Sequence, residues 1–128
     1  MTPAMHGFEY AVLRVVPRVE REEFLNVGVV LYCRGLGFLQ VRWLLPAARL
    51  HAFAPALDQT EVAARLRAFE QICQGRTTGG VIGQLPVAER FRWLTATRST
   101  VVQCSPLHPG RTTDAAATLA RLFAELVQ

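Results

Sequence analysis

Arg21-Glu22-Glu23-Phe24-Leu25-Asn26-Val27-Gly28 runs directly into Val29-Val30-Leu31-Tyr32-Cys33, joining an acidic, amide-bearing turn to the most apolar strand in the chain. Val27 to Cys33 is apolar on both faces, as expected of a central strand covered on one side and closely flanked on the other. A carboxylate or amide at the mouth of such a strand must be hydrogen-bonded or face water, because leaving it dry and unpaired costs about 1–3 kcal/mol. Glu23 and Asn26 therefore need an explanation. The fold-fixing one has Glu23 capping backbone N–H groups of the following turn and Asn26 closing an Asx turn ahead of Gly28.

Working outward, Glu9 to Val16 is rich in β-formers and stops at Pro17, which cannot donate to a ladder. Tyr10, Val12, Arg14 and Val16 share one face of this strand. Arg18 to Leu25 reads as a single helical turn or an irregular crossover. Downstream, Arg34-Gly35-Leu36-Gly37 supplies a turn, and Phe38 to Leu44 alternates well enough to return as an antiparallel partner. Leu39, Val41 and Trp43 take its core side, while Phe38, Gln40 and Arg42 take the other.

Beyond Pro46 the pattern becomes helical. Asp58-Gln59-Thr60-Glu61 has capping-box spacing, Val62, Leu66, Phe69 and Cys73 recur on one face, and Gly75 suits a left-handed end. Four glycines between Gly75 and Gly83 predict a mobile loop or irregular excursion. Pro86 to Leu94 reads as a short helix with Val87, Phe91 and Leu94 inward, and Thr100 to Cys104 as a strand. A loop from Ser105 to Thr113 then leads to a closing helix capped by Asp114 or Thr113, with Leu119, Leu122, Phe123 and Leu126 as its buried stripe. Strands followed by helices predict an α+β fold: one domain over 1–128, with a small antiparallel sheet of three to four strands and helices covering one face.

Composition removes several chemistries. The chain has 128 residues, 51% of them hydrophobic, enough for a core without metal or disulfide support. Its net charge of +4 rests on 14 arginines and no lysine, so lysine Schiff-base chemistry and a P-loop lysine are excluded. Cys33, Cys73 and Cys104 lie far apart in apolar stretches and read as reduced, buried thiols. Neither a signal sequence nor a membrane-length apolar run is visible, so the expected location is the cytoplasm.

The remaining constellations are incomplete. Ser105, His108 and Asp114 offer the residue types of a hydrolytic triad without a nucleophile elbow, and His108 reads more simply as a loop histidine bonded to backbone carbonyls. Cys104 and His108 do not close a metal site, and adjacent Glu22 and Glu23 point to opposite faces of an extended segment. The glycine-rich loop lacks both phosphate-loop patterns. Arg90, Arg92 and Arg98 with Trp93 form a weak nucleic-acid signal, for which an anchoring role of Trp93 is the competing account. No catalytic residue, metal ligand or cofactor is assigned.

Several of these segments occur in a familiar order. Tyr10-x-Val12-Leu13-Arg14-x-x-Pro17 is followed by Glu23-Phe24-x-Asn26-Val27-Gly28-Val29-Val30, then by Arg98-Ser99-Thr100-Val101-Val102, Ser105-Pro106-Leu107-His108-Pro109-Gly110, and Asp114 before a Leu-rich helix. In this order the chain resembles the uncharacterised bacterial family catalogued as domain of unknown function 3037, with Glu23, Asn26 and Gly28 as the most specific marker. The resemblance implies a small stand-alone protein without an established activity, associated with neighbouring genes for HipA-like protein kinases. Such a kinase is the partner that the resemblance suggests.

Two functions remain open. One is a non-enzymatic interaction or accessory module that engages a protein through a sheet edge or the arginine-bearing face. The other is an enzyme or sensor for an anionic small molecule, with Arg14, Glu23, Asn26 and His108 lining a pocket at one end of the sheet. Gly28 and Ser105 complete the set of motif residues whose positions bear on the choice. An unpaired strand in so small a domain also invites homodimerisation.

Overall fold

A computed structural model describes residues 3–98 and 100–128; Met1, Thr2 and the motif residue Ser99 lie outside the described residues. The chain opens with β1 (His6–Val15), makes a short 3-10 turn at Val19–Arg21, and continues into β2 (Leu25–Cys33) and β3 (Phe38–Trp43). Three helices follow, α1 (Ala47–Phe53), α2 (Gln59–Gln74) and the single turn α3 (Gly80–Gly83). Then come α4 (Val87–Thr95), the strands β4 (Val102–Cys104) and β5 (His108–Thr112), and the closing helix α5 (Ala115–Leu126).

All recorded strand pairings are antiparallel, in the order β3-β2-β1, with β4 and β5 sharing the far side of β1. The α+β class stands, with five strands in the sheet. The additional strand is β5, inside the segment read as a loop. Pro109 and Gly110 argue against a strand there, yet β5 lies on an outer edge, where a residue without an N–H is tolerated.

The expectation that helices cover one face is corrected. Ala11, Leu13, Val15, Val27, Val30, Leu39 and Val41 pack under α2 and α4, through Val62, Leu66, Phe69, Ile72, Phe91 and Leu94. Phe8, Val29, Leu31 and Cys33 face the opposite way, onto Ala115, Leu119, Leu122, Phe123 and Val127. The apolar stripe of α5 must leave water, and the second apolar face of β2 is where it goes.

Local signals fare well. Asp58 accepts from Glu61 N at 3.1 Å, and Gly75 ends α2 with φ +69°, so both ends of that helix lie where capping chemistry puts them. Asp114 caps α5 by accepting from Ala117 N at 3.1 Å. The segment after Gly75 forms a 3-10 turn over Thr77–Gly79 and then α3, the irregular excursion of the two forms expected.

One irregularity organises the sheet. Leu13 stands opposite Gly28 and Arg14 opposite Asn26, leaving Val27 as an extra residue in β2. This bulge turns Val27 to the same core as Val30, and Asn26 towards α5. Gly28 permits it, since a Cβ there would meet Arg42 O at 2.8 Å and Trp43 Cβ at 3.0 Å. Gly28→Ala is therefore expected to force β2 and β3 apart and to cost about 1–3 kcal/mol, read as a lower urea midpoint; an alanine variant as stable as the parent would contradict the close approach.

Candidate functional site

The motif residues at the mouth of β2 separate once the chain folds. Asn26 does not close an Asx turn: its Nδ2 donates to Leu126 O at 3.2 Å, tying the bulge to the last turn of α5. Across the strand pair, Arg14 lies with its guanidinium carbon 4.0 Å from the centroid of Phe24 and forms no ion pair among the described residues. Arg14 Nε and Asn26 Oδ1 are both buried without a hydrogen-bond partner. An orphan donor and an orphan acceptor thus belong to directly opposed residues.

Glu23 is engaged with Arg21 and not with that pair. Instead of capping backbone, its Oε1 accepts from Arg21 at 3.0 Å from Nε and 2.6 Å from Nη2, which raises the Arg21 pKa. Both side chains are exposed, so the pair is worth little. Glu23 lines a cleft of about 530 Å³ with Pro17, Arg18, Phe53, Leu57 and Glu61. The preceding Glu22 closes the 3-10 turn in the left-handed region at φ 55°.

Ser105 and His108 belong to the far side of β1. Ser105 is buried, accepts from Val12 N at 2.8 Å and donates to Pro106 O at 2.9 Å, while its own N–H reaches Val12 O at 2.8 Å. It carries the ladder across the gap between β4 and β5. His108 is exposed and pairs with Tyr10 in the middle of β1, four residues before Arg14, its ring 5.1 Å from the tyrosine ring. Arg14, Glu23, Asn26 and His108 are consequently not gathered into one pocket: only Arg14 and Asn26 are neighbours.

The basic and aromatic cluster is also dispersed. Arg90 donates to the carbonyls of Ile72, Cys73 and Leu85, and Arg92 pairs with Glu9 at 3.2 Å. Arg98 donates to Trp93 O and lies 4.0 Å over the Trp93 ring. Each guanidinium is thus turned to a partner within the fold. Among the described residues no three His, Cys, Asp or Glu side chains gather in a way that could hold a metal ion.

One sheet edge of the kind expected from the sequence runs along β3, and the clefts beside it carry no sequence signal. Among the described residues this strand pairs only with β2, which leaves its other edge open. Because Leu44 N bonds inward to Val27 O at 2.8 Å, alternation directs the backbone groups of Leu39, Val41 and Trp43 outward. Two clefts follow this edge. One, of about 480 Å³, runs past Leu36 to Val41, Cys73, Gln74 and Arg76; the other, of about 500 Å³, past Val41 to Leu44, Phe123 and Gln128. Val41 and Glu70 line both, and Glu70 is half-buried without an ion pair among the described residues. Glutamate in the second half of a helix gives no sequence signal of this position.

The arrangement defines a class: a small α+β domain with a doubly covered antiparallel sheet, one edge of which is the regular strand β3 and the other the short strands β4 and β5. The chain belongs to the family described as "Protein of unknown function (DUF3037)", whose model matches residues 10–127. No curated protein and no solved structure matches the chain.

Two outcomes follow from the buried groups. Ser105→Ala strips the Val12 N–H of its partner and should cost about 1–3 kcal/mol in a urea titration; a neutral substitution would mean that Ser105 does not bridge β4 and β5. Burial pushes the Cys73 thiol from 9.0 to about 12 and the Cys104 thiol from 9.0 to about 11. The unfolded chain ionises first, so stability is full below pH 9.0 and falls as pH rises through 9.0 towards 12. Urea melts at about pH 8 and about pH 10.5 should show that loss, and Cys73→Ala should reduce it. A slope unchanged by that substitution would remove Cys73 as its source.

Proposed function

We propose that this protein is a non-enzymatic interaction or accessory module that binds a protein partner through the open edge of β3. The observation that carries this reading is the contrast between the two sides of the sheet. On the β1 side, β4 has only three residues and β5 contains Pro109, so that edge offers a poor ladder. β3 contains no proline or bulge, and it presents outward backbone groups beside two clefts. Edge strands of this kind accept an added strand through main-chain hydrogen bonds.

A HipA-like protein kinase is the partner to test first, because the family resemblance associates such kinases with neighbouring genes. Co-expression should give co-elution on gel filtration, with slowed amide exchange at Leu39, Val41 and Trp43. Separate elution would remove the kinase, and co-elution with unchanged exchange along β3 would remove the edge.

A second reading is favoured by one observation. The unpartnered Nε of Arg14, a charged donor, suits recognition of an anionic small molecule at the β2 mouth, and Asn26 Oδ1 beside it would accept from a hydroxyl of the same ligand. On that reading Arg14 is the charged anchor, and Arg14→Gln would abolish ligand-induced stabilisation by a carboxylate or phosphate compound.

A further inference from the structure

We infer that the strand taken up by β3 is an extended segment of another protein carrying a cationic side chain opposite Val41, and not a second copy of this chain. The inference rests on the edge-docking reading and adds the chemistry of the occupant. In an antiparallel pair, side chains of directly opposed residues project from the same face of the sheet. The residue opposite Val41 therefore projects towards α2, where Glu70 stands beside both clefts.

Other charges along the edge are placed differently. Arg90 is held by the carbonyls of Ile72, Cys73 and Leu85. Arg42 belongs to the α5 side, its guanidinium carbon 4.9 Å from the Phe123 centroid. Arg76 lines only the cleft at the start of β3. A strand lying along the middle of β3 thus meets, on its α2 side, a carboxylate without an ion pair among the described residues. Residues two places before and after the cation lie opposite Leu39 and Trp43, which belong to the core on that face, so apolar side chains suit both positions.

Glu70 also argues against self-pairing. A two-fold axis that joins two β3 strands about their middle brings both Glu70 carboxylates to the same face beside that axis. Like charges there oppose the dimer, whereas a cation from a different protein is drawn to the same spot.

The test uses a fluorescein-labelled, end-capped Thr-Val-Thr-Arg-Thr-Val-Thr peptide and its glutamate-centred counterpart, read by anisotropy against the whole protein. The arginine peptide should bind at least about tenfold more tightly, a difference of about 1.4 kcal/mol. Glu70→Gln should erase the preference, and N-methylation of the arginine and both valines should abolish binding. Equal, N-methyl-sensitive binding of the two peptides, or a preference that survives Glu70→Gln, would overturn the role of Glu70 while leaving edge docking in place. Binding indifferent to N-methylation, or none of either peptide, would overturn edge docking as well. A dimer in light scattering whose formation protects the β3 amides would assign the edge to a second copy and overturn the heterologous occupant.

Discussion

β2 touches β3 at Gly28 more closely than a side chain would allow, and this contact governs much of the sheet. Arg42 O and Trp43 Cβ occupy the space a Cβ would need, so the strands approach only because Gly28 has none. One residue earlier, the extra Val27 lets β2 keep apolar side chains in both cores while its end rotates. The rotation sends Asn26 to Leu126 O, across 100 positions of sequence, so a local insertion becomes a tie between the first hairpin and the last helix. Such bulges redirect a strand at the cost of one ladder position.

The two sides of the sheet meet the edge problem differently. Beyond β1, two short strands joined through Ser105 complete the ladder, and the prolines at 106 and 109 limit further addition. Beyond β3 no further strand pairs among the described residues, β3 itself holds no proline, and two clefts beside it share Val41 and Glu70. Unpaired backbone donors and acceptors at an edge are satisfied by water or by another strand. That asymmetry is the physical basis for treating β3 as an interaction surface.

The candidate site was legible in parts. Glu23, Asn26 and Gly28 stood out because polar and small residues at the mouth of an apolar strand require an explanation, and all three do set local geometry or line a surface feature. Their partners were not legible. Glu23 pairs with Arg21, Asn26 reaches α5, and His108 stacks on Tyr10, well removed from Arg14 along the same strand. Spacing along the chain says nothing of these separations. Glu70 was invisible for a related reason, since only the path of β3 beside α2 turns an ordinary helical glutamate into a charge beside a sheet edge.

By itself the sequence determined what depends on near neighbours. The caps at Asp58, Gly75 and Asp114, the buried stripes of α2 and α5, and the hairpin between β2 and β3 follow from contacts within a few residues. Tertiary structure alone decided which face α5 would cover, that Pro109 and Gly110 would join a strand, and which strands would form the edges. Hydrophobic periodicity says that a face must be buried, not against what. That choice is made only when segments distant in sequence compete for the same apolar surface and the same backbone hydrogen bonds.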